Sequence, residues 1–383
     1  MCPPDCDSVN RKIRILWYVP GFILGSSHPT SIGTLALSKA LARHNEFSYV
    51  VIASDCLKTN TRLSDKLELI SISQNPLFAF RELTKVIVSK RINLIQERLG
   101  CYYLSSDWGI LAGNYMGLPT VGLIHEYPVA LLSRMLSKIR LRHTLRVCDI
   151  LLVINKIILN YIPLDKTDVN KVHFTSCGYD LAVLPTNNNS GVANNHGSDF
   201  IPLDKKIVGY FGTLSEDKGV NLILDLIHKV DDGYFFLIAG NGPLKHQVKQ
   251  VAAHLPEKCK YLGRLTQMGV YQFTKLCDVT LALYRKDLKP GCPQRGSPMK
   301  VFESLAVGTP IIISEKTVNM LPKEVSELCM ISRIELNDII KKLEMTSSTK
   351  QVDMSSVVNV MRKYSWDYIA ENSLVPLYKS ILI

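Results

Sequence analysis

The stretch KIVGYFGTLSEDKGVNLILDLIHKVDDGYFFLIAGNGPL, residues 206–244, decides the fold. Its apolar runs at 206–212 and 234–240 are of strand length, rich in Val, Ile, Tyr and Phe, and both end on glycine. Each then passes through a turn of small residues into a segment of helical period, starting near Val220 and near Pro243. Strand, glycine turn, helix and second strand form a βαβ unit, and repeats of that unit build a parallel sheet with helices on its faces. Downstream the pattern continues with strands DVTLAL (278–283) and TPIIIS (309–314) and with helices from near Thr266 and Pro298.

Upstream the same alternation is present. Strand candidates are IRILWYV (13–19), YVVIA (49–53), LELISI (67–72), NLIQ (93–96), TVGLI (120–124) and ILLVI (150–154), with a helix over SIGTLALSKALARH (31–44). The two halves are separated by PTNNNSGVANNHGSDFIP, polar, Asn-rich and without hydrophobic period, which predicts a linker at 186–203. The expected fold class is therefore α/β, with two Rossmann-like βαβ domains facing each other across a cleft. The predicted division is 1–185 for the first domain and 204–364 for the second. Ligands of such sheets bind beyond the carboxyl ends of the strands, so the loops there are where function is sought.

A chain of 383 residues is long enough for two cores, and 46% hydrophobic with 21% charged residues is ordinary globular composition. No stretch reaches the roughly 18 uninterrupted apolar residues of a membrane span, and MCPPDCDSVNRK lacks the apolar centre of a secretory signal. The expected location is cytoplasmic, with peripheral membrane attachment as the other option. The ten cysteines are scattered, without a CxxC pair or a Cys/His cluster at metal-ligand spacing; Cys2 and Cys6 lie in the leader. A net charge of +11 suits an acidic partner: nucleic acid, anionic lipid or nucleotide phosphate. Without a run of mixed basic and aromatic residues to stack bases, nucleic acid is not expected.

Three loops of the second half carry the chemistry. GYFGTLSEDKGV (209–220) sets Lys218 and Gly219 before a helix, AGNGPLKHQV places Gly240, Gly242 and Pro243 at a similar junction, and in RGSPMKVFE Ser297 suits an N-cap with Pro298 as first helical residue. Free N–H groups at a helix start favour phosphate, and a lysine adds charge, so a nucleoside diphosphate suits all three together. The bland alternative is that these are tight turns and Lys218 is a solvated surface lysine. Glu303 sits among Val301, Phe302, Leu305 and Ala306, and burying a carboxylate costs several kcal/mol unless it is bonded, roughly what a domain can scarcely absorb. An i,i+3 pair with Lys300 is one way to satisfy it.

These segments, in order YFGTLSEDKGVNLILDLI, FLIAGNGPLKHQV, YLGRLTQ, LCDVTLALY and GSPMKVFESLAVGTPII, resemble the C-terminal domain of the retaining glycosyltransferases of family 4, which have the GT-B fold. The first half is compatible through NLIQERLG, MGLPTVGLIHEYP and KVHFTSCGYDL, and YSWDYIAENSLVPLYKSIL resembles the closing helix that crosses back to the first domain, here 365–383. The resemblance implies transfer of a sugar from a nucleotide-sugar, UDP- or GDP-linked, to a glycan or lipid-linked acceptor. It places the donor on the second domain and the acceptor on the first. The nucleotide-sugar is a substrate, and no cofactor is implied. By the same resemblance Glu303 binds the ribose diol, Lys218 neutralises the leaving diphosphate and His125 lies near the donor sugar. Gly212, Thr213, Gly240, Gly242, Arg295, Gly296, Ser297, Pro298 and Lys300 are expected to line the donor site, and Gly25 and Gly33 to lie on the acceptor side.

Two positions depart from the family pattern. A second glutamate is common eight positions before the first, where this chain has Arg295; an arginine is common after the glycine that ends the first donor-domain strand, where this chain has Thr213. Arg295 is a candidate to serve the diphosphate in place of that arginine, or to recognise a carboxylated sugar.

Other readings stand beside this one. No Asp-x-Asp sits at a strand end, since Asp5/Asp7 lie in the leader and Asp231/Asp232 in a turn, so activity without a metal ion is expected. LLSRMLSKIRLRHTLR (131–146) has five Lys or Arg and no acid; it is either a helix lying on an anionic membrane or a packed helix with a solvated basic face. His125 with Glu126 is a candidate base pair, a sugar-positioning group or a core histidine. GFILGSSHPTSIG (21–33) is not GxGxxG, which weakens a dehydrogenase reading. A catalytically silent GT-B subunit and a sugar-nucleotide epimerase of the same fold are the alternatives to transfer.

Overall fold

Strands that are buried on both faces need apolar residues at every position, and the central strands of this protein have them. A computed structural model describes residues 12–26, 29–99, 107–127, 142–144, 146–159, 169–184, 202, 204–285, 294–295, 298–348 and 354–382. The chain forms two compact units. The first comprises Met1–Ser176, Pro290–Gly296 and Trp366–Ile383, and the second Cys177–Lys289 and Ser297–Ser365. Cys2, Cys6, Gly296, Ser297, most of the linker at 186–203 and most of the basic stretch 131–146 lie outside the described residues.

The first unit is built on strands β1 (Ile13–Tyr18), β2 (Phe47–Ser54), β3 (Thr61–Arg62), β4 (Leu67–Ser71), β5 (Leu94–Arg98), β6 (Thr120–Ile124), β7 (Glu126–Tyr127), β8 (Ile150–Val153) and β9 (Val172–Phe174). Its main sheet runs β3-β4-β2-β1-β5-β6-β8-β9 and is parallel except for β3. Helix Pro29–Arg43 follows β1 and helix Pro76–Ser89 follows β4, so strand and crossover alternate as the periodicity predicts. One core joins Leu16, Tyr18, Val51, Ala53 and Ile95 of the sheet to Leu83, Val86 and Ile87 of the second helix. The chain end packs here too: Tyr378 donates to Gln96 Oε1, Arg43 Nη2 reaches Asp367 at 2.7 Å and Lys379 reaches Glu46 at 2.8 Å. A π turn at Ala370–Leu374 precedes Pro376, whose ring and missing N–H a regular helix would not accommodate.

The second unit holds β10 (Lys206–Thr213), β11 (Tyr234–Asn241), β12 (Cys259–Gly263), β13 (Val279–Ala282), β15 (Ile311–Ser314) and β16 (Met330–Ser332), in the order β12-β11-β10-β13-β15-β16, all parallel. Alternate residues of β10 and β11 enter opposite faces. Val208, Tyr210, Phe236 and Ile238 pack with Ile223, Leu226 and Ile227 of helix Val220–Lys229, while Ile207, Phe211, Phe235 and Leu237 pack with Phe273 and Cys277. Strand β14 (Gln294–Arg295) pairs antiparallel with β7 and so belongs with the first unit. No described helix is long and apolar enough to cross a membrane.

One local expectation is corrected. Pro298 occupies the N-cap position, with φ −74° and ψ 110°, and the helix starts at Met299. The helix expected near Pro243 runs from Lys245, and Leu244 N–H just before it reaches the Leu214 carbonyl at 2.9 Å.

Candidate active site

The carboxyl end of β10 and the segment following β13 bring together the charged residues singled out in the sequence. Beyond β10 the chain makes a 3-10 turn, Glu216–Lys218, closed by Gly219 at φ +75°. A Cβ on Gly219 would stand 2.1 Å from the Leu283 carbonyl oxygen, so this turn packs onto the β13 segment at a distance only glycine allows. That packing tucks Lys218 inward. It is 7% exposed, with Nζ 4.1 Å above the Tyr284 ring and 3.2 Å from Asp217 Oδ2. The solvated-lysine alternative is therefore excluded.

Lys300, on helix Met299–Ala306, arrives from the other side. It too is 7% exposed, and its Nζ lies 4.0 Å from the centre of the Tyr210 ring and 5.8 Å from that of Tyr284. Gly212 leaves it room: a Cβ there would be 3.3 Å from Nζ. The ammonium has no hydrogen-bond acceptor among the described residues. Burial first and the Lys218 charge second push the Lys300 pKa down to about 7, against the opposing pull of Glu303 and Asp217.

Glu303 lies one turn further along the same helix and is 5% exposed. The alternative i,i+3 hydrogen bond with Lys300 is not formed. Instead Gln267 Nε2 donates to Glu303 Oε1 at 2.8 Å from helix Gln267–Lys275, whose start is fixed by Thr266 accepting from Gly269 N–H. Burial pushes the Glu303 pKa up to about 7, with the Gln267 hydrogen bond and the Lys300 charge acting against it. Gln267 and the two tyrosines are the members of this site that the sequence reading missed; Gln267 stood in the quoted YLGRLTQ without a role.

The remaining donor-side positions divide. Gly212, Thr213, Gly240 and Gly242 sit at the ends of β10 and β11 or just beyond, with Gly242 against Leu214. Thr213 is half-buried, and its carbonyl accepts from Tyr210 Oη at 2.7 Å. The free amides expected before helix Val220–Lys229 are partly used, since Gly219 N–H donates to the Glu216 carbonyl at 2.9 Å. The turn thus offers a cation more than an amide nest. Pro298 and Lys300 are on the helix that carries Glu303. The Arg295 backbone pairs with Glu126 in the first unit.

In the first unit His125 follows β6 and lines a small cavity with Trp17, Gly33, Thr34, Gln96 and Trp366. The cavity, about 20 Å³, has room for one or two waters. The N–H groups of Trp17, Gln96 and Trp366 there have no acceptor among the described residues. Desolvation in this pocket, with the Arg98 charge second, lowers the His125 pKa to about 3, so the imidazole is neutral and a poor base at neutral pH. Gly25 lies in an exposed loop at φ +75°. Among the described residues no group of three His, Cys, Asp or Glu could hold a metal ion, and Cys56, Cys148, Cys177, Cys259, Cys277 and Cys329 are free thiols.

Residues 192–327, most of them in the second unit, match the family model described as Glycosyl transferases group 1. No curated protein matches the chain in sequence. Solved structures match its fold over almost its whole length. A glycosyltransferase from Rickettsia africae is 14% identical with TM-score 0.68, covering 97% of this chain and 99% of that one. Sucrose-phosphate synthase from Thermosynechococcus elongatus is 14% identical with TM-score 0.69, covering 96% and 98%. HepE from Anabaena, in complex with UDP, is 13% identical with TM-score 0.68, covering 95% and 99%. The fold is that of the GT-B glycosyltransferases, two Rossmann-like α/β domains.

Proposed function

We propose that the chain is a retaining glycosyltransferase that moves a sugar from a nucleoside-diphosphate sugar, UDP- or GDP-linked, to a glycan or lipid-linked acceptor without a metal ion. The observation that carries this reading is the buried cluster of Lys218, Lys300 and Glu303 inside the unit that matches the family model. A buried ammonium without an acceptor and a buried carboxylate held by one amide are costly to keep, and a diphosphate and a ribose diol supply what they lack. Structures similar in fold support the donor class: HepE has been solved with UDP-glucose, and starch synthase IV of Arabidopsis thaliana with ADP.

In this mechanism the bond between the anomeric carbon and the diphosphate oxygen breaks while the acceptor hydroxyl attacks from the same face. Negative charge grows on the leaving diphosphate, and Lys218, fixed between Tyr284 and Asp217, stabilises it without reorganising. The acceptor proton passes to the leaving phosphate oxygen, so no dedicated base is required. Glu303 accepts the ribose hydroxyls through the oxygen that Gln267 leaves free. Neutral His125 orients a sugar hydroxyl rather than taking a proton. The two lysines provide the charge a divalent cation would otherwise give. The acceptor is assigned to the first unit, with the basic stretch 131–146 drawing the enzyme to an anionic membrane.

Thr213 and Arg295 favour a second reading, a silent subunit of the same fold. Incubating the full chain with UDP-, GDP- and ADP-sugars and following nucleotide release separates the two. Slow donor hydrolysis that persists in EDTA and disappears in Lys218→Ala is the expected result. Binding without any turnover, with or without candidate acceptors, would point to the silent subunit.

A further inference from the structure

Lys300 is a buried cation in search of an anion, and the place where it sits is informative. The resemblance leads one to expect an arginine directly after Gly212, and this chain has Thr213. Yet the Lys300 ammonium, entering from a different element, comes within 3.3 Å of where a Gly212 Cβ would be, at the end of that same strand. Its neighbours leave it unsatisfied. Tyr210 of β10 and Tyr284 after β13 offer ring faces, Lys218 of the 3-10 turn repels it, and Asp217 of that turn already serves Lys218 at 3.2 Å. On its own helix Glu303 is hydrogen-bonded to Gln267, and the adjacent helix Gln267–Lys275 adds Tyr271 near Glu303. Nζ has no acceptor among all of these.

We propose that Lys300 supplies the second diphosphate-neutralising charge in place of the missing arginine, and that it becomes fully charged only when the diphosphate is bound, so that nucleotide-sugar binding takes up a proton from solvent. The proposal rests on the nucleotide-sugar reading of this site. Burial and the Lys218 charge make the free protein's Lys300 about half neutral near pH 7 and mostly neutral at pH 8. An incoming diphosphate reverses that balance. Glu303, which titrates in the same region, is already ionised at pH 8 and contributes little proton exchange there.

The test is calorimetric titration of the full chain with UDP-glucose, GDP-mannose and ADP-glucose at pH 8, in buffers of different ionisation enthalpy. These donors have no phosphate proton titrating near that pH. The expected result is uptake approaching one proton per donor bound. Lys300→Met abolishes the uptake and weakens binding by about 10- to 100-fold. Lys300→Arg, charged at every pH, keeps the affinity but takes up no proton. Tight binding by wild type without proton uptake, or unchanged affinity in a folded Lys300→Met, overturns this proposal and leaves the nucleotide-sugar reading standing. Failure of wild type to bind any of the three donors overturns both.

Discussion

Gly240, at the end of β11, lies so close to Gly212 that a Cβ on it would stand 1.8 Å from the Gly212 carbonyl oxygen. The two are register partners in the parallel ladder, and Gly240 holds φ +142°. An alanine there has both a steric clash with backbone and an unfavourable dihedral, and neither can be relieved by turning a side chain. Gly240→Ala is expected to destabilise the protein by on the order of 3 kcal/mol or more. Gly25→Ala is the control: at φ +75° but with nothing within 4 Å of the added carbon, it should cost only about 1–2 kcal/mol. Thermal unfolding of both variants checks the contrast, and equal effects would contradict the packing argument.

Glu303 and Lys300 set opposite limbs of a pH profile for donor affinity. The Glu303 pKa is pushed up to about 7, so below that pH its carboxylate is lost and with it the acceptor for ribose hydroxyls. Lys300 is pushed down to about 7, so above that pH binding must pay to protonate it. Affinity is expected to peak near pH 7, falling by up to about tenfold per pH unit on either side. Glu303→Gln should weaken binding at the optimum by roughly 10-fold and flatten the acid limb, while Lys300→Arg should flatten the alkaline limb. Dissociation constants measured from pH 5.5 to 9 decide this, and an affinity insensitive to pH would remove both assignments.

The central strands were legible because burial on both faces demands uninterrupted apolar runs. TVGLI was found to the residue as β6, and the others within a few positions. What the sequence did not declare as strands are chiefly the sheet margins: β3, β9, β12 and β16 each close one end of a sheet, and their residues are largely half-buried or exposed. An edge needs fewer apolar residues, so it leaves no run to read. The site was legible in part for a related reason. Lys218, Lys300 and Glu303 stand in motifs, but Gln267, Tyr210 and Tyr284 reach them from positions 16 to 90 residues away, a proximity only the fold creates. Whether Lys218 was solvated or buried depended on Gly219 packing onto Leu283, which local sequence does not encode.

Lys218 carries the largest single catalytic effect expected here. Its ammonium is held over Tyr284 and beside Asp217 before any donor arrives, so its stabilisation of the leaving diphosphate needs no rearrangement. Lys218→Ala should lower kcat by roughly 10²- to 10³-fold, with a smaller change in KM, because the charge it answers develops mainly as the bond breaks. Lys218→Arg should recover only part of the loss, since the larger guanidinium does not fit the 4.1 Å stacking distance and the Asp217 contact together. Steady-state kinetics with the donor identified by calorimetry provides the measurement, and a loss confined to KM would assign Lys218 to ground-state binding.

The same Lys300 that serves the donor should weaken the empty protein. Its pKa is about 7 in the folded chain against 10.5 for an unperturbed lysine. Between those values the unfolded chain binds the proton and the folded one does not, so stability falls as pH drops from about 10.5 to 7, and the penalty is complete below 7. Lys300→Met removes a buried charge without an acceptor and replaces it with an apolar chain of similar length. At pH 6 it is expected to stabilise the ligand-free protein by about 1–4 kcal/mol, seen as a Tm several degrees above wild type, with the gain vanishing near pH 10. A saturating nucleotide-sugar should narrow or reverse that difference, because a 10- to 100-fold weaker affinity gives the variant about 1.4–2.7 kcal/mol less linkage stabilisation than wild type. Tm measured against pH, with and without donor, checks both halves; a variant less stable than wild type at pH 6 in the absence of donor would mean that the Tyr210 and Tyr284 contacts outweigh the burial of the charge.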